Sequence, residues 1–183
     1  MKKIMFNDKY GLTAAVHRGE KTQTRRDATR LEEAYWNGRK MGDYPTLSLG
    51  EYVRQHAVYN VGEVIAVAQS YQDLGLFDCR DLAGYRNKMF VKADLMPHRI
   101  RITDVRVQRL QDISDDDCQK EGVVATHGGY GVEEGLNYQV FASTPREAFA
   151  ALIDRVCGKG TWERNPYVLA YDFELVTDCH LLS

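Results

Sequence analysis

The chain has 183 residues, of which 44% are hydrophobic and 27% are charged, and its formal net charge is −2. This length fits one domain with a core of its own, and the near-neutral charge excludes a general attraction to nucleic acid, so any polyanion would have to meet a local basic patch. No apolar run approaches the ~20 residues of a membrane span, and the first residues lack a signal-peptide core, so we expect no membrane association and a cytoplasmic protein.

The first half of the chain predicts two strands, a helix and an insertion. The predicted elements are a strand at 4–6, a helix at 10–18 that ends at Gly19, and a buried strand at 64–68. The helix prediction rests on Leu12, Ala15 and Val16, which share one helical face. Between these elements, residues 27–60 look like an insertion: a short helix around Tyr35 is followed by several glycines and a proline, with another turn or two at 52–58.

The second half predicts two further strands and two helices. Residues 71–95 are irregular, and 99–110 alternate as a strand with a bend or bulge at Thr103-Asp104. Ser114 caps a short helix that closes at Gly122, and Thr144 caps a longer one that ends at Gly158. Residues 127–136 contain four glycines, which predicts a flexible loop or lid, and 167–175 form the last strand.

This order of elements lacks the regular β-α-β rhythm of a parallel sheet. We therefore expect an α+β fold: a small β-barrel or curled sheet with flanking helices. The whole chain, 1–183, is expected to be a single domain, with insertions at 27–60, 71–95 and 127–144.

Side chains that bind metals are scattered along the chain. None of the four cysteines forms a CxxC pair, and the five histidines show neither HxxxH nor HExxH spacing. We therefore expect free thiols rather than a disulfide framework or a zinc site, and neither a metal nor another cofactor.

The densest functional chemistry lies at residues 19–26, whose sequence is Gly-Glu-Lys-Thr-Gln-Thr-Arg-Arg. Two interpretations are open. The stretch can be an anion-binding loop, or it can hold a nucleophile, Thr24, beside an amine, Lys21. Arg25 and Arg26 would most simply bind phosphate or pair with acids of the insertion.

This stretch resembles the G-x-K-T-x-T-x-R signature of ASCH domains (activating signal cointegrator homology), which belong to the PUA-like superfamily. Three further blocks agree in order with that family: 61–64 resembles its turn into a barrel strand, and 165–174 resembles its closing strand. The stretch 101–114, running on to Glu121-Gly122, resembles the strand-then-helix block of the longer bacterial and phage members. The resemblance implies a PUA-like β-barrel, a cleft between the barrel and the first helix, and RNA or a modified nucleoside as the ligand.

In small bacterial members the resemblance also implies an amidohydrolase that removes the acetyl group of N4-acetylcytidine with a Lys, a Thr and a Glu. These fall on Lys21, Thr24 and Glu121. This chain departs from those enzymes in being much longer and in carrying Arg25 where they have an apolar residue.

The amidase hypothesis assigns a role to each side chain. Thr24 supplies the nucleophile and Lys21 takes its proton, which requires that burial or nearby cations lower the lysine pKa from ~10.4. Glu121 either orients a water molecule or protonates the leaving amine. Thr22, Arg25 and Arg26 are expected to hold the substrate or RNA. The alternatives are a non-catalytic RNA-binding module, in which the same cations hold phosphates, and a ribonuclease.

Overall fold

The computed structural model describes residues 1–42, 46–134 and 137–176. The strands are β1 (Lys3–Ile4), β2 (Gln23–Asp27), β3 (Val64–Val67), β4 (Arg99–Arg109), β5 (Val124–Thr126), β6 (Gly129–Glu134), β7 (Asn137–Ala142) and β8 (Tyr167–Val176). The helices are α1 (Leu12–His17), α2 (Thr29–Met41), α3 (Leu49–Gln55), α4 (Asp115–Lys120), α5 (Pro145–Cys157) and α6 (Thr161–Arg164).

The main sheet has five strands in the order β1-β3-β4-β8-β2. Only the β1–β3 pair is parallel, and the long β4 and β8 strands form its centre. The register between β4 and β8 shifts between Ile102 and Asp104, which confirms the bulge predicted at Thr103-Asp104. A second sheet of three antiparallel strands, β5-β6-β7, lies beside helix α5.

The architecture is α+β, as the sequence predicted, but the main sheet is open. Its edge strands, β1 and β2, are not paired with each other in the described part of the chain. Strand β1 has only two residues, and a side chain of β2 reaches across the gap instead: Arg26 Nη2 donates to the carbonyl of Met5 at 2.7 Å. The gap between the two edges, here called the seam, is where both cavities described below lie.

The core fills the space between the main sheet and the helices, and many of its members lie on β3, β4, α5 and β8. Helix α5 begins where the sequence predicted, because Thr144 Oγ1 accepts a hydrogen bond from the peptide nitrogen of Glu147 at 3.2 Å. Its stripe of Ala148, Phe149 and Leu152 is buried to 2% exposure or less.

The flexible loop predicted at 127–136 is wrong for the residues that the structure describes there. Residues 129–134 form the whole of β6, which pairs with β5 and with β7. The glycines have a steric purpose: a Cβ on Gly131 would lie 1.9 Å from the carbonyl oxygen of Gln139, and one on Gly129 would lie 2.4 Å from that of Ala142. Glycine therefore permits close approach of neighbouring strands at these positions.

Three other expectations are corrected or refined. Residues 23–27 are strand β2 rather than part of a loop, and α2, with 13 residues, is longer than the short helix predicted. The next helix starts at Leu49 rather than near 52, because Ser48 and Glu51 form a capping box. The irregular stretch 71–95 is confirmed, since only short 3₁₀ turns occur in it.

Candidate active site

Local backbone contacts place Lys21 in the interior. Gly19, with φ 73°, turns the chain after α1, and the peptide nitrogen of Lys21 donates to the carbonyl of Ala15 at 3.1 Å. Thr22 then bridges two elements, because its nitrogen donates to Lys120 O at 3.0 Å and its carbonyl accepts from Phe173 N at 2.9 Å. The segment is therefore held between α4 and β8, and the Lys21 residue is only 2% exposed.

The structure brings Lys21 and Glu121 together across 100 positions of sequence. Lys21 Nζ donates to Glu121 Oε2 at 2.7 Å and to the Glu121 main-chain carbonyl at 2.6 Å. Glu121 is the C-terminal cap of α4 and is 5% exposed. A helix end leaves carbonyl groups without intrahelical partners, and the Lys21 amine satisfies one of them.

Burial lowers the pKa of Lys21 from its ordinary value of 10.5, although the Glu121 carboxylate acts in the opposite direction. Arg26 and Arg25 add smaller decreases, as the sequence analysis expected. A neutral amine has two N–H groups and one lone pair. The two hydrogen bonds to Glu121 account for both N–H groups, which leaves the lone pair of the neutral form to accept a proton.

Thr24 lies on β2 opposite Tyr171 of β8 and is 5% exposed. It lines the same cavity as Lys21 and Glu121. In the described structure no hydrogen bond joins its hydroxyl to Lys21 Nζ, whose polar contacts both go to Glu121. Hydrogen bonds of this kind are often long in a free enzyme and shorten when the substrate is bound.

Arg25 is an interior residue, with a side chain that is 1% exposed. Its Nη1 donates to Glu121 Oε1 at 3.0 Å and also to Gln23 Oε1, while Nη2 donates to Asp117 Oδ2 at 3.0 Å. The sequence had left open whether Arg25 binds phosphate or pairs with acids of the insertion. The structure pairs it with acids, but they belong to α4.

One nitrogen of the Arg25 guanidinium group has a different environment. Its Nε is buried and has no acceptor among the described residues, and Arg25 lines the cavity of Lys21 and Thr24. A buried donor without an acceptor is uncommon and needs an explanation. Arg25 therefore keeps one N–H group that no described residue accepts.

A second layer of polar residues supports this cluster, and the sequence analysis did not identify it. Gln23 Nε2 donates to Asp117 Oδ1 at 3.2 Å and to Asp172 Oδ1 at 2.5 Å, and Arg106 Nη2 lies 2.8 Å from Asp172 Oδ2. Burial raises the pKa of Asp117, but the hydrogen bond from Gln23 and the charges of Arg25 and Arg106 outweigh it and lower the pKa below 3.8. In the sequence, Asp117 simply lies in the first turn of the short helix that Ser114 caps.

The two remaining candidates occupy the edges of this region. Arg26 is half-buried at the seam, where it contacts Met5 and lies 5.8 Å from the centre of the Phe6 ring. Thr22 anchors the segment through its backbone and is not among the residues that line the cavity.

The cavity has a volume of about 80 Å³. Since a water molecule takes up about 30 Å³ in the liquid, this space suits a small acyl group or a few waters rather than a whole nucleobase. Apolar side chains form most of its other walls, and the rest of the lining is Asn7, Arg26 and Cys157; the apolar residues are Met5, Phe6, Leu12, Phe149, Leu152, Ile153 and Val156. We call it the inner cavity.

Burial of this many charges needs a reason beyond stability. Lys21, Arg25, Glu121 and Asp117 are each between 2% and 8% exposed. Removing such ions from water costs several kcal/mol per ion, and well-packed apolar residues are often no less stable in their place. A compensated ionic cluster beside a cavity therefore indicates a functional site.

The comparisons with known proteins gave no match: no protein-family model, curated protein or solved structure matches this chain. The resemblance to ASCH domains therefore depends on the sequence motifs alone. Among the described residues, no group of three or more His, Cys, Asp or Glu side chains is placed to hold a metal ion, and no helix is long and apolar enough to cross a membrane. The described cysteines, Cys79, Cys118 and Cys157, are free thiols, and Cys179 lies outside the described residues.

Proposed function

We propose that the protein is an amidohydrolase that removes a small acyl group from the exocyclic amine of a nucleoside, as in N4-acetylcytidine. One observation carries the proposal: a buried lysine amine, fixed by Glu121, lines a cavity of acyl size together with the hydroxyl-bearing Thr24. Amide hydrolysis needs a nucleophile, a proton acceptor and a donor to the oxyanion, and the inner cavity offers a candidate for each.

In the first step, Thr24 Oγ1 attacks the acyl carbon and its proton passes to the lone pair of Lys21 Nζ. The fraction of Lys21 that is neutral at a given pH is larger than for a free lysine, because burial lowers its pKa. Glu121 positions the amine by accepting a hydrogen bond from each of its two N–H groups, one at the carboxylate and one at the main-chain carbonyl.

The developing oxyanion needs a hydrogen-bond donor, and Arg25 Nε is the candidate. It carries a hydrogen with no acceptor among the described residues, and the other two guanidinium nitrogens are fixed by Glu121, Gln23 and Asp117. A donor held in place before the reaction stabilises charge without reorganising, which typically contributes about 10²–10³ to the rate.

Collapse of the tetrahedral intermediate breaks the carbon–nitrogen bond. The leaving amine takes the proton from the Lys21 ammonium group, and the acyl group stays on Thr24 as an ester. A water molecule then attacks the ester carbon and gives a proton to Lys21, which returns it to Thr24 Oγ1 as the carboxylic acid leaves. The products are the free amine of the base and a short carboxylic acid.

The finer fold assignment is part of the same proposal. A PUA-like barrel would be a curled sheet whose edges approach each other, and the Arg26–Met5 hydrogen bond across the seam supports this reading of the open sheet. The inner cavity would then correspond to the cleft between barrel and first helix, since Leu12 of α1 lines it.

The direct test is to incubate the protein with N4-acetylcytidine and to follow cytidine by chromatography. We expect turnover by the native protein, loss of at least about a thousandfold in Thr24→Ala, and partial activity in Thr24→Ser, which keeps the hydroxyl. Thermal unfolding of each variant shows that it is folded. Absence of turnover across a panel of acylated nucleosides would refute the enzyme and favour a binding module.

A further inference from the structure

A second and larger cavity lies at the seam, next to the inner one. Its volume is about 400 Å³, and we call it the outer cavity. Met5 and Arg26 line both cavities, so the hydrogen bond between them lies at the boundary. A ligand that occupies both cavities has to pass the Arg26 and Met5 residues.

The segment 27–60, which lies outside the blocks that resemble ASCH domains, builds much of the outer cavity. Arg30 and Leu31 come from the first turn of α2, and His56 is the C-terminal cap of α3. The insertion at 27–60 therefore lies next to the proposed active site.

The floor of the outer cavity is apolar and partly aromatic. It consists of Met5, Leu31, Val58, Tyr59, Leu169 and Tyr171. The Tyr59 ring is held in place by an edge contact with Tyr171, with 5.4 Å between ring centres, and by a hydrogen bond from its hydroxyl to Lys3 O at 3.0 Å. Such a rigid surface suits the face of a sugar or a base.

The rim of the outer cavity is cationic. Arg30 is exposed and forms no ion pair with a described acid, and the Arg26 side chain donates to the carbonyl of Met5. The carboxylate in the lining belongs to Asp27, whose Oδ1 accepts from the peptide nitrogen of Thr29 at 2.7 Å. The positive end of the 13-residue helix α2 also faces this region, since its first turn lines the cavity.

An apolar floor with two guanidinium groups at the rim fits a small molecule that carries a phosphate. The volume lies in the range of about 300–1,000 Å³ that is usual for small-molecule sites, so it suits one nucleotide rather than a strand. Arginine binds phosphate well because its planar group can donate two parallel hydrogen bonds.

We infer that the outer cavity binds the base and the phosphorylated sugar of a mononucleotide whose N-acyl group reaches into the inner cavity, with Arg30 as a phosphate ligand. The substrate class is then an N-acylated nucleoside monophosphate rather than the free nucleoside. This inference rests on the proposed function for the acyl group, but the binding of a nucleotide can be measured without any turnover.

The first experiment measures binding by calorimetry at low salt. Cytidine 5′-monophosphate and cytidine are titrated into the native protein, into Arg30→Ala and into Lys40→Ala. Lys40 is the matched control, because it is an exposed cation on the same helix and does not line the cavity. We expect the nucleotide to bind at least about tenfold tighter than the nucleoside, and Arg30→Ala but not Lys40→Ala to remove the difference.

The second experiment compares turnover of N4-acetylcytidine and its 5′-monophosphate. We expect a lower KM for the nucleotide and a loss of this preference in Arg30→Ala. If both compounds are cleaved equally well by the native protein, the inference fails and the proposed function stands. If neither is cleaved but the nucleotide binds through Arg30, the proposed function fails and the nucleotide site stands. Turnover of an acetylated oligoribonucleotide without turnover of the mononucleotide would overturn the inference.

Discussion

The two cavities at the seam differ in size and in the burial of the charges that line them. The inner cavity is small, and the charges beside it are buried and paired: Lys21 and Arg25 both contact Glu121. The outer cavity is about five times larger, at about 400 Å³ against about 80 Å³, and its cation Arg30 is exposed to solvent.

This difference indicates which cavity should determine activity and stability and which should determine ligand affinity. Buried charges with several hydrogen bonds have fixed positions, which catalysis requires. Removing one of them leaves its partners without hydrogen bonds and therefore lowers the stability of the fold. Exposed charges are screened and mobile, so they can set ligand preference with little effect on stability. Substitutions in the inner region should therefore change activity and stability, and those in the outer region only affinity.

The largest effect is expected for Lys21→Met. The variant has no group to accept the Thr24 proton, so turnover of an acylated nucleoside should fall at least about a thousandfold. Glu121 keeps its contact with Arg25, so the variant should fold. Lys21→Arg is the matched control for charge, and it should be equally inactive because a guanidinium group does not give up its proton. Near-native turnover by either variant would remove Lys21 from the mechanism.

The next effect is on stability. Arg25→Met deletes the partner of Asp117 and Glu121, which are 8% and 5% exposed. We expect a loss of about 3 kcal/mol in the free energy of unfolding, measured with urea, because two buried carboxylates lose the cation that they share, and Lys21 and the more distant Arg106 compensate them only in part.

The control for that measurement is Arg101→Met, which breaks an ion pair with Glu174 whose side chains are 49% and 57% exposed. Its cost should stay under about 1 kcal/mol. Equal losses in the two arginine variants would contradict the distinction between buried and exposed charges.

The third prediction concerns pH. The reaction needs neutral Lys21, so kcat/KM should fall as the pH decreases through the lysine pKa, which burial places below 10.5. The Glu121 carboxylate raises that pKa. Glu121→Gln should therefore move the acid limb of the pH profile to lower pH. A limb that stays in place would indicate that it reports a group other than Lys21.

The smallest effect is expected in the outer cavity. Arg30→Ala should change the free energy of unfolding by no more than about 0.5 kcal/mol, because the side chain is exposed and has no acid partner among the described residues. The same denaturation experiment as for Arg25→Met provides the comparison. A loss of several kcal/mol would show that Arg30 is structural and that its effect on ligands is indirect.

The sequence predicted those elements whose signals are local. Thr144 and Pro145 marked the start of α5, and the alternation of β4 showed its bulge near Thr103, because caps and bulges depend on neighbouring residues. Strand β2 was missed since it buries Gln23, Thr24 and Arg25, and a hydrophobic pattern does not detect a strand that buries polar side chains.

The candidate site could be predicted only in part. The motif and its resemblance pointed to Lys21, Thr24 and Glu121, which the structure places around one cavity. The partners that hold Arg25, chiefly Asp117, and the outer cavity at Arg30 depend on contacts between elements far apart in the chain. No local pattern encodes such contacts.

The most direct test of the central claim is to find the acyl group on the protein. The native protein is mixed with N4-acetylcytidine, quenched with acid within the first turnover, and digested for mass spectrometry, with Thr24→Ala as the control. The account predicts one acetyl group on the peptide that carries Thr24, and none in the variant. Release of cytidine without any acylated Thr24 peptide, or acylation of the variant to the same extent, would contradict it.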